Sequence, residues 1–269
     1  MKMATWNINS VRLRIDQVLQ FLKEETPDVL CLQEIKCRDD QFPAKAISAA
    51  GYKHQAVSGQ VGYHGVAIVS KVPLKDVSRK AFCGKDDARH IEATLPGGVR
   101  LHNFYVPAGG DEPDPKINEK FEHKLSFMKE MKSWFSEFGP PSRKKSVLVG
   151  DLNVAPLEND VWSHRQLLSV VSHTPIEVAH LSEVVQSHDW IDVARALIPE
   201  TEKIYTWWSY RAANWRSSNR GRRLDHIWVT PALRKAALSG GRDAFAIHER
   251  CRDWERPSDH APVTLTLDL

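Results

Sequence analysis

Long apolar runs are missing from this sequence. No stretch reaches the roughly 18 consecutive apolar residues that a bilayer-crossing helix needs, and the opening Met1-Lys2-Met3-Ala4-Thr5-Trp6-Asn7 lacks the apolar core of a secretory signal. Both absences point to a cytoplasmic or nucleoplasmic protein that is neither secreted nor held in a membrane. Cysteine is scarce too. The four residues Cys31, Cys37, Cys83 and Cys251 have neither the density of a disulfide framework nor the close pairing of a zinc site, so reduced thiols are expected. Neither charge dominates: 37 Lys and Arg against 34 Asp and Glu leave a net +3. Such a total settles nothing about an anionic partner, because a localised basic surface matters more than the sum. Linkers are also absent. Residues 107–115 and 139–145 read as loops, but each is short and neither separates blocks of different composition. One domain spanning residues 1–269, working as a monomer, is the expectation; with 42% hydrophobic residues it has enough apolar side chains for a substantial core.

What is present is an interleaving of strand and helix signals. Residues 3–8 read as a strand, and residues 11–25 as a helix through Ile15, Val18, Leu19 and Leu22, closed by Pro27. Further strands are expected at 29–33, 66–70, 90–95, 99–106, 146–149 and 224–229, and in the alternation of Val263, Leu265 and Leu267. Helical spacing recurs over 116–135 through Ile117, Phe121, Leu125, Met128 and Phe135, and over 189–197 through Trp190, Val193, Ala194 and Leu197.

Polar residues recur where the apolar strands stop: Asn7, Glu34, Asp151 with Asn153, Asp225, and Asp259 with His260. A carboxylate at the end of a buried strand is held rigidly yet reaches an open rim, which suits a reaction centre. Taken singly, each such acid or amide could equally cap a turn. Several together, without thiolates, suggest a hard cation, magnesium with manganese as its substitute, held by one or two carboxylates, water and a substrate phosphate. Glu34 is the best single ligand candidate.

The blocks Ala4-Thr5-Trp6-Asn7-Ile8-Asn9-Ser10, Leu32-Gln33-Glu34-Ile35-Lys36, Gly150-Asp151-Leu152-Asn153 and Ser258-Asp259-His260-Ala261-Pro262 resemble the signature segments of exonuclease III-type AP endonucleases, within the endonuclease/exonuclease/phosphatase superfamily. Tyr63-His64-Gly65-Val66-Ala67-Ile68, Phe104-Tyr105-Val106-Pro107 and Asn219-Arg220-Gly221-Arg222-Arg223-Leu224-Asp225 extend the resemblance along essentially the whole chain. It implies an α+β fold, a four-layer α/β sandwich of two packed mixed β-sheets flanked by helices. It also implies a hydrolase that cuts DNA 5′ to abasic sites, with 3′-5′ exonuclease and 3′ phosphatase or phosphodiesterase activity as companions. On this likeness Asp151 positions or deprotonates the attacking water, Asn153 and Tyr105 hold the phosphate, and Asp225 orients His260, which donates to a non-bridging oxygen. Glu34, helped by Asp259 and Asn7, holds the metal; whether Asp151 and Asn153 also touch it stays open.

The segment from Trp207 to Arg223 concentrates five arginines and four aromatics in seventeen residues. Arginines neutralise phosphates and aromatic faces stack on or wedge between bases. By the same resemblance Trp207 and Leu224 wall a pocket for an extruded abasic sugar, with Arg211, Arg216, Arg220, Arg222 and Lys116 as DNA contacts, and the partner is double-stranded DNA carrying abasic sites or damaged 3′ ends. Arg143, Lys144 and Lys145 read as a solvated cluster. Two positions depart from the family's habit: Arg222 stands where an apolar pocket residue is usual, and Ala108 where an amide near the phosphate is common. A phosphatase acting on phosphoinositides or other small phosphate esters, and a nucleic-acid-binding module without catalysis, are the alternatives.

Overall fold

Val29-Leu30-Cys31-Leu32 runs apolar without a break because both faces of its strand are covered. Val29 and Cys31 enter one buried cluster, while Leu30 and Leu32 enter another on the opposite side. The same split recurs elsewhere. Met3 faces inward and Ala4 and Trp6 outward; Val147 and Val149 face inward and Leu148 outward. A strand's two-residue period makes this inevitable when layers lie on both sides.

The computed structural model describes residues 1–212 and 214–269. Its strands, in chain order, are β1 Lys2–Asn7, β2 Val29–Gln33, β3 His54–Ser58, β4 Val66–Ser70, β5 Lys75–Ser78, β6 His90–Leu95, β7 Val99–Tyr105, β8 Ser146–Asp151, β9 Ile191–Asp192, β10 Trp207–Trp208, β11 Gly221–Arg222, β12 Asp225–Val229, β13 Phe245–Ile247 and β14 Val263–Thr266. One six-stranded sheet runs β13-β14-β1-β2-β4-β3 and the other β5-β6-β7-β8-β12-β9; β10 and β11 form a separate ribbon. Both sheets are mixed, with β1 parallel to β2 and β7 parallel to β8 among antiparallel neighbours. Their facing sides share the central core, Met3, Val29, Cys31 and Ile68 meeting Ile91, Leu101, Val147 and Ile227. Outside the first sheet the helix Ile15–Glu25 packs Val18, Phe21 and Leu22 onto Trp6 and Leu30. Outside the second, the helices Glu119–Ser136 and Pro175–Ser187 cover Phe104, Leu148 and Trp228. This is the four-layer sandwich that the sequence implied. Each Val, Leu or Ile fully buried in these layers contributes about 1.5–3 kcal/mol.

Parity also explains where polarity collects. In β1, β2, β7, β8 and β12 the residues on the inner face turn polar at one end: Thr5 and Asn7, Gln33, Asn103 and Tyr105, Asp151, and Asp225. Because β1 and β2 run in parallel, as do β7 and β8, those ends gather at one rim. A buried lattice floors it, in which the Gln33 amide donates to Thr5 Oγ1 at 2.9 Å and to Asn103 Oδ1 at 2.7 Å. Gly150 lets the strands close up just before Asp151, since at its φ of 139° a Cβ would lie 1.9 Å from the carbonyl oxygen of Phe104.

Several boundaries differ from the sequence reading. The first helix starts at Ile15 rather than 11, because Asn9 and Ser10 take left-handed backbone and Val11 is held in a turn by the Ile35 carbonyl. The 116–135 helix starts at Glu119, where the Asn118 side chain caps it, and Ile117, read as part of its apolar face, is 74% exposed. The 189–197 segment divides into β9, which pairs with β12, and a short helix Val193–Leu197. Leu224 stands just before β12, its N–H donating to Thr206 Oγ1 and its carbonyl accepting from the Leu152 N–H. The strands β3, β5 and β13 and the helix Pro175–Ser187 went unanticipated. Among the described residues no helix is long and apolar enough to cross a membrane.

Candidate active site

At the rim, Asn7 sits fully buried between two carboxylates. Its Nδ2 donates to Asp151 Oδ2 at 2.9 Å and to Glu34 Oε1 at 3.0 Å, so one amide ties the two sheets together. The Tyr105 hydroxyl donates to the same Glu34 oxygen at 2.7 Å. Beyond Asp151 the chain turns: Asn153 takes a left-handed φ of 54°, its N–H donates to Asp151 Oδ1 at 3.0 Å, and its amide donates to the Val106 carbonyl at 2.9 Å. Glu34 is also left-handed, at φ 50°. Strained backbone of this kind persists where surrounding contacts dictate it.

His260 completes the floor. Its Nδ1 meets Asp225 Oδ2 at 2.8 Å, leaving Nε2 directed at Asp151 Oδ2, 3.7 Å away. Ser258 holds this strand end in place, donating to the Asn7 carbonyl at 2.6 Å, while Trp6 Nε1 donates to the His260 carbonyl at 3.0 Å. The second oxygen of Asp225, Oδ1, is buried without a hydrogen-bond partner.

Burial and charge oppose one another here. Burial alone would push His260 down, but the Asp225 and Asp151 carboxylates override it and hold the imidazole protonated well above its ordinary range. Burial raises Asp151, with the Asp225 and Glu34 charges adding to it and His260 and the Asn7 amide opposing. Glu34 goes the other way: burial would raise it, yet Lys36 together with the Asn7 and Tyr105 hydrogen bonds keeps it ionised below the usual carboxylate range. Tyr105 is raised by burial and by the Glu34 and Asp151 charges, so its hydroxyl stays protonated and a donor.

The donor set fits a hard cation. The Lys36 ammonium already sits in an oxygen cradle, 2.9 Å from Glu34 Oε2 and 2.6 Å from Asn9 Oδ1, and Asn9 leads on to Asp259 Oδ1 at 3.0 Å. Carboxylate and amide oxygens alone form this cradle, and Glu34 is held ionised within it. Asp151, Asp225 and His260 form a second cluster, each offering a ligand atom within 4.8 Å of the others. There, however, His260 Nδ1 is engaged by Asp225, so a hydrogen-bonded relay describes the geometry better than a metal cage.

Above the floor lies a cleft of about 840 Å³. Of the residues singled out from sequence, it brings together Glu34, Tyr105, Asp151, Asn153, Asp259 and His260 with Trp207, Arg211, Arg220, Arg222 and Leu224. Asn7 and Asp225 support it from beneath. Ala108 also lines it. Two expected contacts are elsewhere. Arg216 stacks on Trp215 and is paired with Asp253, and Lys116 is exposed outside the lining. Arg216 sits apart because a short helix, Trp215–Ser218, turns its side chain toward the 249–253 segment.

Some participants had no signal in the sequence. Trp162 lines the cleft beneath the Arg220 guanidinium, 4.7 Å from its ring centroid, yet comes from a segment with neither periodicity nor motif. Lys124 is fully buried in the helix Glu119–Ser136, where spacing suggested only packing; it donates to the Asn153 carbonyl at 2.8 Å and pairs with Glu177. Lys36 and Asn9 stood inside quoted blocks without an assigned role.

Comparison with known proteins agrees with this geometry. Residues 4–260 match the Endonuclease/Exonuclease/phosphatase family. The chain is 30% identical to exodeoxyribonuclease III of Haemophilus influenzae, over 98% of each chain. An AP endonuclease from Archaeoglobus fulgidus superposes with a TM-score of 0.90 at 32% identity, both chains being covered in full. A 3′ phosphatase from Neisseria bound to a product DNA hairpin does so with a TM-score of 0.89 at 33% identity, again over both full chains.

Proposed function

The chain belongs to the endonuclease/exonuclease/phosphatase family, and from that premise we propose a metal-dependent DNA repair nuclease that hydrolyses phosphodiester bonds 5′ to abasic sites and removes nucleotides or phosphate-bearing remnants from 3′ ends. One observation carries this reading: Asp225, His260, Asp151, Asn7, Glu34 and Tyr105 form one continuous polar network across the facing ends of the two sheets.

In the proposed reaction Asp151 takes the proton of the attacking water, its burial having raised its basicity toward neutral pH. Asn153, held by the Val106 carbonyl, orients that water and the phosphate. His260, kept protonated by Asp225, donates to a non-bridging phosphate oxygen as negative charge grows there. Tyr105 supplies a second donor on the Glu34 side. Glu34, Asp259 and Asn7 would hold a divalent ion, magnesium with manganese as substitute. Bound there, such an ion stabilises negative charge on phosphoryl and leaving oxygens. The water's oxygen bonds to phosphorus, the bond from phosphorus to the upstream 3′ oxygen breaks, and that oxygen takes a proton from solvent to leave as a 3′-hydroxyl.

Arg211 and Arg220 are proposed to meet backbone phosphates, and Trp207 with Leu224 to wall the pocket for the residue just 3′ of the scissile bond. A cleft combining arginines and tryptophans suits a polymer with bases better than a phosphoinositide headgroup. The assembled acids argue against a binding module without catalysis. We further propose that the chain acts as one catalytic domain and as a monomer. Single-turnover cleavage of a duplex with one abasic analogue tests the reading. Asp151→Asn should lose at least about 100-fold in rate, as removal of a general base does, while undiminished cleavage by that variant would remove Asp151 from the chemistry.

A further inference from the structure

Arg222 is a half-buried cation in the cleft with no carboxylate to answer it. It lies in β11 directly opposite Trp207 of β10, and its guanidinium stacks over that ring at 5.2 Å. One terminal nitrogen reaches across to donate to the Val171 carbonyl at 2.8 Å and to Ser172 Oγ at 2.7 Å. Its Nε is buried without a partner. Arg89, Arg195 and Arg223 each pair with an aspartate, whereas among the described residues Arg222 has no acid within ion-pair distance. The buried Arg14 and Arg252 also lack one, but neither lines the cleft.

The wall that Arg222 grips is rigid. The Ser172 N–H donates to both carboxylate oxygens of Glu177 at 2.9 Å, and the Ser172 carbonyl accepts from Ala155 at 2.7 Å. Glu177 in turn is neutralised by Lys124 and capped by Thr174. Arg222 therefore cannot lean on Glu177 for compensation without breaking that pair. A partly desolvated guanidinium bridging a pocket is stabilised by whatever anion enters, and a neutral occupant leaves it uncompensated.

We propose that Arg222 makes this pocket charge-selective, favouring 3′ ends whose terminal phosphate carries a small anionic remnant, such as a glycolate ester, over the neutral deoxyribose of an abasic site inside a continuous strand. The inference rests on the reading that Trp207 and Leu224 wall the pocket for the group 3′ of the scissile phosphate. The chemistry is unchanged. Water bonds to phosphorus, the bond to the upstream 3′ oxygen breaks and leaves a 3′-hydroxyl, and the remnant departs with the phosphate as its monoester. The guanidinium acts on the remnant's carboxylate through charge-assisted hydrogen bonds from its free nitrogens.

The test uses the full chain with magnesium and three nicked or intact duplexes: a 3′-phosphoglycolate end, the matching 3′-phosphoglycolamide end, and an internal tetrahydrofuran abasic analogue. In the wild type kcat/KM for the glycolate end should exceed that for its neutral amide by about tenfold or more, the worth of a charge-assisted hydrogen bond. Arg222→Leu should bring the two within about twofold and move the ratio toward the abasic duplex, while Arg222→Lys should keep part of the preference. Equal rates for glycolate and amide in the wild type, or an undiminished preference in Arg222→Leu, would overturn the proposal. Should Arg222→Leu unfold, the wild-type comparison and Arg222→Lys decide alone. Failure to cut any of the three duplexes would instead sink the nuclease reading itself.

Discussion

A single imidazole carries the sharpest residue-level consequence. With Nδ1 taken by Asp225 at 2.8 Å, His260 presents only Nε2 to the cleft, and the two neighbouring carboxylates keep it charged. His260→Ala and Asp225→Asn should each slow turnover by about 100-fold or more, the usual cost of losing a transition-state donor or its orienting partner. DNA affinity should change far less, so a gel-shift titration beside single-turnover kinetics separates the two effects. The arginines divide in the same way. Arg211 and Arg220 line the cleft, and Arg216 is held by Asp253. Arg220→Ala should weaken binding to intact and abasic duplexes alike and lower the salt slope by about 0.9, the contribution of one phosphate contact. Arg216→Ala should leave both nearly unmoved; an equal loss of affinity in the two variants would return Arg216 to the DNA surface. The acids at the site were legible because each stands in a recognisable block beside an apolar run, Asp151 closing β8 and Asp225 opening β12. Trp162 and Lys124 were not, since a lone tryptophan in an irregular segment and a lysine at helical spacing look like packing until the fold brings the first to the cleft and the second beneath the Asn153 carbonyl.

At the scale of elements, the helix Glu119–Ser136 is more than a cover for the second sheet. Through Lys124 it fixes the Asn153 carbonyl and the start of the helix Pro175–Ser187, whose first turn holds Glu177 in a capping box with Thr174. Removing one member of a fully buried pair leaves the other charge stranded, so Lys124→Met should destabilise the protein by about 3–5 kcal/mol, and adding Glu177→Gln should recover part of that loss. Chemical denaturation of the two variants checks it; a single variant as stable as the wild type would mean that the pair is idle. The capping signal Thr174-Pro175-Ile176-Glu177 is present in the sequence, but the helix behind it buries only Glu177, Leu181 and Val184, too few apolar positions to mark a helical face. Edge strands β3, β5 and β13 escaped for a related reason. β5 and β13 have only four and three residues, all four of β5 being exposed, and β3 is polar at His54, Gln55 and Ser58, so no long apolar run marks any of them. The central strands were readable because burial on both faces leaves an unbroken apolar run.

Across the whole molecule, the chain's two ends meet. β14 pairs with β1, and Glu25, at the end of the first helix, gathers Lys2 at 2.8 Å and Arg250 at 2.7 Å. Burial would raise Glu25, but these cations pull it down from 4.5 to about 2. A depressed carboxylate stabilises the fold above its unfolded value, and that contribution is lost as pH falls from about 4.5 toward 2. Glu25→Gln should therefore lower Tm by about 2–4 °C at pH 7, and the difference should narrow by pH 3.5. A gap that stayed constant with pH would show that Glu25 acts by packing rather than by charge. The four-layer arrangement itself came through the family likeness, because no pattern within one strand reveals which sheet it will join.

The central claim, that this rim hydrolyses DNA phosphodiesters with a metal held on the Glu34 side, is tested most directly on one end-labelled duplex carrying a single abasic analogue, incubated with excess EDTA, with magnesium restored, and with magnesium and Glu34→Ala. The account predicts no cleavage in EDTA, cleavage immediately 5′ to the analogue once magnesium is restored, and a requirement for much higher magnesium in the variant with DNA binding retained. Full cleavage in EDTA, or a variant indistinguishable from wild type across the magnesium titration, would contradict it.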